Sequence, residues 1–279
     1  MSSPFYFPSN ALENVSERTR ECLERLRIHE REKTDLTSYP STKLAAVLVL
    51  LFERAGELRV LLTTRSKSLR SHPGQTALPG GKVDETDVDI VATAYREAHE
   101  EVGLPLNSPH IYTLCLLRPF LSSSKLFVTP VVAFLTDLSI LDNLRANPTE
   151  VDCIFSHPLE AILDPTIARK EALVPMGSEH WPYEVELHST TDTVLSWLND
   201  ATYRMHRFRS SASPIKGLTS EILTTTAEIA FARPPTYERY ASGQIQEFPM
   251  LYRILKDSGI SSRAVMAAST PTSGAVTPV

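Results

Sequence analysis

Hydrophobic and polar positions change period several times along the chain. From Leu44 to Phe52 nine apolar residues follow without a polar break. The run is far too short to cross a membrane and reads as a buried strand. A second strand-like run at 58–65 follows Ala55-Gly56-Glu57, so the pattern predicts a hairpin over 44–53 and 58–65. Ahead of it, ALENVSERTRECLERLRIHE sets Leu12, Val15, Cys22, Leu23, Leu26 and Ile28 on an apolar stripe, which predicts a helix in a polar lead-in that Pro40 closes. Residues 66–86 hold Pro73, Gly74, Pro79, Gly80 and Gly81 and read as a shaped loop. A helix is predicted from Val88 to Val102, capped by Asp87 or Asp89 and stopped by Gly103 and Pro105. Beyond it the pattern predicts strands at 110–118, 126–135 and 150–155, a short helix at 158–163, strands at 179–187 and 203–208, and a long helix over 217–232.

Strands on both sides of one helix, with a second helix late, predict an α+β sandwich with a mixed sheet between helices. The expected organisation is an N-terminal helical lead-in over 1–42, a main domain over 43–233 with a long insertion at about 164–216, and an extension over 234–279. From about residue 258 the tail is small, polar and Pro-containing. It offers too little apolar surface to offset its ordering entropy, so it is expected to be disordered.

Composition narrows the function classes. Of the 279 residues 42% are hydrophobic and 22% charged, as in ordinary soluble domains. A net charge of -5 argues against a nucleic-acid backbone as partner, while leaving room for a local basic pocket. Cys22, Cys115 and Cys153 stand at no zinc-ligand spacing and suit a reducing compartment. Glu13, Glu17 and Glu21 make the N-terminus unlike a transit peptide, and the chain ends Thr277-Pro278-Val279 rather than in a peroxisomal tripeptide. The expectation is cytoplasmic, with peroxisome or mitochondrion as alternatives.

Candidate chemistry lies at REAHEEVGL. Glu97, Glu100 and Glu101 fall at i, i+3 and i+4, so their carboxylates share a helix face and repel, with Arg96 alone nearby to offset them. Such a face is most often simply solvated. Hard divalent cations make it favourable, and the preceding LPGGKVDET has paired glycines that let backbone approach a metal or phosphate.

At this point the residues resemble a known family. GGKVDETDVDIVATAYREAHEEVGL is similar to the Nudix box: Gly, five residues, Glu, seven residues, then Arg-Glu-apolar-x-Glu-Glu-x-Gly-apolar. Arg96, Glu97, Ala98, Glu100, Glu101, Gly103 and Leu104 match its second half. The first half departs, with Asp87 in place of Glu and eight residues before Arg96. Upstream, LLTTRSKSLRSHPGQTALPGG resembles the signature of the coenzyme A diphosphatase branch, with Leu78 where Phe is usual. NPTEVDCIFSHPLEAIL and KGLTSEIL extend the likeness, which runs from about 44 to 232, with Lys216 where a Trp is often found.

The resemblance implies a Nudix-type α/β/α sandwich with a mixed β-sheet. It implies Mg²⁺ or Mn²⁺ held by Glu97, Glu100 and Glu101 with the Gly81 carbonyl. Glu97 would orient or deprotonate the attacking water, and Arg96 would hold the carboxylates. Arg65, Arg70 and Lys82 are expected at substrate phosphates, each with an exposed surface charge as the plainer alternative. Glu150 is either a further ligand or base, or a cap. His72 and His99 are expected to be incidental, and Trp181, Trp197 and Tyr203 to serve core packing. The implied reaction splits coenzyme A or its thioesters into 3′,5′-ADP and 4′-phosphopantetheine or its acyl form. Hydrolysis of oxidised nucleoside triphosphates, or nucleotide binding without turnover by a degenerate domain, are the rivals. The expected partner is a small molecule, with no nucleic acid and no membrane, and a homodimer is left open.

Overall fold

A computed structural model describes residues 5–30, 36, 39–196 and 200–246. The apolar run becomes β1 (Leu44–Arg54), and its alternation explains why both faces are hydrophobic. Ala46, Leu48, Leu50 and Phe52 face one layer, where α2 (Ile90–Val102) supplies Ala94, Ala98 and Val102. Ala45, Val49 and Leu51 face the other, where α1 (Glu17–Ile28) supplies Cys22, Leu23 and Leu26, and α4 (Gly217–Phe231) supplies Ile222, Leu223 and Ala227. A third, five-residue helix, α3 (Ser139–Asn143), lies between the strands that follow α2.

β1 pairs antiparallel with β2 (Glu57–Arg65) and parallel with β7 (Phe127–Leu135), so the sheet is mixed. β5 (Ile111–Leu116) and the short β6 (Phe120–Leu121) run antiparallel to β7, and β8 (Val151–Pro158) antiparallel to β2. The β1–β2 hairpin closes through Ala55 and Gly56 at φ 54° and 76°, the left-handed pair that a two-residue turn requires. The α+β sandwich is the fold observed.

Several expectations are corrected. The loop at 66–86 contains two short strands, β3 (Thr76–Ala77) on β2 and β4 (Gly80–Lys82) on β1. β4 lies so close that a Cβ on Gly80 would stand 2.3 Å from the Ala46 carbonyl oxygen. The first helix begins only at Glu17, because Ser16 caps it: its Oγ accepts from the Thr19 N–H while Glu53 accepts from the Ser16 N–H and hydroxyl. Ile28 is exposed rather than part of the stripe. Residues 179–187 form no strand. They coil round Trp181, which is fully buried and donates its indole N–H to the Val185 carbonyl at 2.7 Å. The strand begins instead at His188. Trp197 and the tail from 258 lie outside the described residues.

Residues 164–216 contain β9 (His188–Leu195), β10 (Ala201–Phe208) and β11 (Ile215–Lys216), in the order β11-β10-β9. The larger of two compact units comprises Met1–Thr191 and Arg204–Arg239; the smaller comprises Asp192–Tyr203 and Tyr240–Val279. The strands β1–β8 and the helices α1–α4 all belong to the larger.

Within it, His206 Nε2–H donates to the Arg239 carbonyl at 2.7 Å. A carbonyl only accepts, so neutral His206 must use Nδ1 to accept from His188 Nε2–H at 3.0 Å. Both rings stack among Phe208 and Tyr237, with Glu221, Arg204 and Arg239 charged around His206. Burial pushes His188 down to about 4 and lowers His206 also. Their folded pKa values lie below the unfolded ones, so the stability of this cluster is complete above the ordinary histidine value. It is lost as pH falls from 6.5 toward 4. Calorimetry across that window should show a loss on the order of 1–3 kcal/mol that His188→Phe reduces. An equal loss in the variant would remove the histidine pair as its cause.

Candidate active site

α2 is set by its ends. Asp89 Oδ1 accepts from the Ala92 N–H, and Gly103 closes the last turn at φ 70°. Exposed His99 adds a bond from its ring to the Leu104 carbonyl at 2.9 Å. With Ala94, Ala98 and Val102 committed to the core, the 3.6-residue period turns Glu97 and Glu101 toward β4 and leaves Glu100 half exposed. The Gly80 N–H donates to Glu101 Oε2 at 3.2 Å. At Gly81 a Cβ would stand 2.4 Å from the Glu97 carboxylate. The paired glycines therefore bring bare backbone against two carboxylates of one helix.

Arg96 organises the exposed side of this cluster. It forks onto Asp87 through Nε and Nη2 at 2.8 and 3.0 Å. It also donates to the Lys82 carbonyl at 3.0 Å, to Glu97 Oε1 at 3.0 Å and to Glu100 Oε2 at 3.2 Å. The guanidinium, helped by the Thr93 hydroxyl at 2.8 Å, holds Asp87 down to about 2. From the sequence Asp87 counts only as a helix cap or a departure from the box. In the structure it is the carboxylate onto which Arg96 forks.

The carboxylates carry a large electrostatic strain. Burial pushes Glu101 up to about 8; the Gly80 N–H and Arg65 oppose this, and Glu97 and Glu150 add to it. Glu97 is raised too, again chiefly by burial. Among the described residues no three His, Cys, Asp or Glu side chains are grouped closely enough to hold a metal ion. The donor set nevertheless fits a hard divalent cation: clustered carboxylate oxygens, and a backbone cradle that any side chain at Gly81 would fill.

A profile of the NUDIX domain family matches residues 42–175. The chain is 36% identical over 196 residues to Nudix hydrolase 22, chloroplastic, of Arabidopsis thaliana, covering 70% of this chain and 58% of that protein. To a mitochondrial coenzyme A diphosphatase of Homo sapiens it is 42% identical over 120 residues, 43% of this chain and 50% of that protein. To a peroxisomal coenzyme A diphosphatase of Mus musculus it is 32% identical over 204 residues, covering 72% and 76%. The chain belongs to the Nudix family. It spans less than two thirds of the length of the two Arabidopsis relatives it matches.

Around the Nudix helix, the remaining candidates divide. Arg65 ends β2 with Nη1 3.9 Å from Glu101 Oε1 and Nε 3.4 Å from the Ser71 carbonyl. Arg70 and Lys82 are exposed and form no ion pair among the described residues. Glu150 closes a turn pinned on both sides: the Asn147 N–H donates to the Glu101 carbonyl at 2.9 Å, and the Ser66 N–H to the Glu150 carbonyl at 2.8 Å. His72 stands on an exposed turn at φ 54°. Cys22 and Cys115 are buried, which raises their thiols to about 11 and 12 and leaves them unreactive; Cys153 is exposed on β8.

Proposed function

We propose that the chain hydrolyses the diphosphate of coenzyme A and its thioesters, releasing 3′,5′-ADP and 4′-phosphopantetheine or its acyl form. The observation that carries the reading is the seating of Glu97 and Glu101 against bare Gly80–Gly81 backbone, with Glu100 on the same helix. The signature loop that carries Arg70 adds to it, as do relatives named coenzyme A diphosphatases.

Glu97, Glu100, Glu101 and the Gly81 carbonyl would hold Mg²⁺ or Mn²⁺, which when bound neutralises diphosphate oxygens and acidifies water. Glu97, raised by burial and in contact with Arg96, orients the attacking water and takes its proton. Glu150 is a second candidate for that proton or for a ligand position. Arg96, held by Asp87 and the Lys82 carbonyl, fixes the carboxylates at their separation and adds positive charge beside the diphosphate. Exposed Arg70 and Lys82 are the cations assigned to substrate phosphates.

Product analysis of the purified protein with Mg²⁺ or Mn²⁺ tests this, over coenzyme A, dephospho-coenzyme A, acyl thioesters and oxidised deoxynucleoside triphosphates. Coenzyme A species are expected to turn over fastest. Arg70→Ala should lower kcat/KM for coenzyme A by roughly ten- to a hundredfold, mostly through KM, with dephospho-coenzyme A much less affected. Faster turnover of an oxidised nucleotide would replace the assignment. For compartment we keep the cytosol, with peroxisome or mitochondrion as the alternatives that two relatives' names support. Microscopy with each terminus left free in turn decides between them.

A further inference from the structure

We propose that Arg65 is a positioning residue of the metal site, acting on Glu101, and does not read the substrate; this rests on the metal-site reading above. The argument begins with the strand. Pairing of β2 with β8 shifts register at this residue, from Thr64 opposite Cys153 to Arg65 opposite Val151, so Asp152 is an extra residue. Such a bulge re-aims the side chain beside it. The backbone there has little freedom. The Arg65 N–H donates to the Gln75 carbonyl at 2.9 Å, its carbonyl accepts from the Gly74 N–H at 3.0 Å, and the next N–H donates to Glu150. Asp152, the bulged residue, is itself tied to the Lys67 N–H at 3.2 Å.

Held in this way, the guanidinium reaches Glu101 Oε1 and the Ser71 carbonyl, and only 26% of the side chain is exposed. Glu101 has few other sources of compensation. Its side chain is 6% exposed, the Gly80 N–H donates to it, and Arg96 spends its contacts on Asp87, Glu97, Glu100 and the Lys82 carbonyl. A buried carboxylate beside other carboxylates is held in place for a cation by a positive charge close by. Arg65 is that charge. Arg70, five residues on, is exposed and carries no such commitment. The two signature arginines therefore have different tasks, one facing the carboxylates and one facing solvent where a phosphate arrives.

The test uses the full chain, stripped of metal and titrated with Mn²⁺ alone while free Mn²⁺ is followed by electron paramagnetic resonance. Arg65→Ala should weaken Mn²⁺ binding by roughly ten- to a hundredfold, the usual effect of losing a partner that orients a ligand. Arg65→Lys should recover part of it, and circular dichroism should stay unchanged. Among substrates, Arg65→Ala should lower turnover of coenzyme A and dephospho-coenzyme A by the same factor, whereas Arg70→Ala changes their ratio. Wild-type Mn²⁺ affinity in Arg65→Ala, with or without a lost coenzyme A preference, would overturn the proposal. If that variant does not fold, Arg65→Lys and Arg65→Gln supply the same comparison. Failure of the wild type to bind Mn²⁺ would sink the metal-site reading itself. Mn²⁺ binding without coenzyme A cleavage would sink only the substrate and leave the role of Arg65 standing.

Discussion

Glu101→Gln is expected to leave a folded protein whose diphosphate hydrolysis has fallen by a hundredfold or more. The amide keeps the shape and can still accept from the Gly80 N–H, but it loses the negative charge that a hard cation needs. Stability should move the opposite way. Glu101 is raised to about 8, so at neutral pH the folded state withholds an ionisation that the unfolded chain makes freely above about 4.5. That contribution is full below the unfolded value and declines as pH rises through the folded one, whereas glutamine pays no such penalty. Metal-free Glu101→Gln should therefore melt higher than wild type at pH 7, by roughly 1–3 kcal/mol of stability, and no higher near pH 4. A well-folded variant with near-normal turnover would remove the ligand assignment.

Gly81→Ala should be nearly as damaging to activity by a different route. The added Cβ would meet both Glu97 oxygens at 2.4–2.5 Å, and β4 cannot retreat because Gly80 and Gly81 are paired with Val47 and Ala46. Glu97 must swing away, taking with it the bond to Arg96. A loss of a hundredfold or more in kcat is expected, since displacing a reacting group by about an ångström costs that much. The fold should survive, because the displaced atoms are the end of one side chain. Wild-type kcat would show that Glu97 is not held where the reaction needs it. Total unfolding would instead mean that β4 itself gave way.

Much of the architecture was legible because it depends on local periodicity. Nine consecutive apolar residues read as a strand covered on both faces, and α2 on one side with α1 and α4 on the other are what cover it. The run Ala55-Gly56 between strands demanded a tight turn. Errors fell where a single side chain or a tertiary contact overrode the pattern. Residues 179–187 alternate like a strand, yet they coil round Trp181, which is fully buried and donates its indole N–H to the Val185 carbonyl. β3 and β4 were hidden under prolines and glycines, because a strand of two or three residues has no periodicity to read.

At the site, the sequence alone determined the chemical inventory: three carboxylates at helical spacing, an arginine beside them, and two glycines upstream. Spacing along one helix suffices for that, since the α-helix fixes which side chains share a face. Which groups each carboxylate would meet across space was decided only by the tertiary structure. Asp87 lies nine residues before Arg96 and turned out to clamp it, because the loop returns over the helix. Arg65 and Arg70 look equivalent in the chain, but beside the bulge at Asp152 of β8 the first lies 3.9 Å from Glu101 and the second stands in solvent. Burial of Glu101 is likewise a property of the packed layers, since an isolated helix would leave it hydrated. Charge type follows from composition and local period, whereas desolvation and charge pairing exist only once the sheet, the glycine strand and the helix have come together.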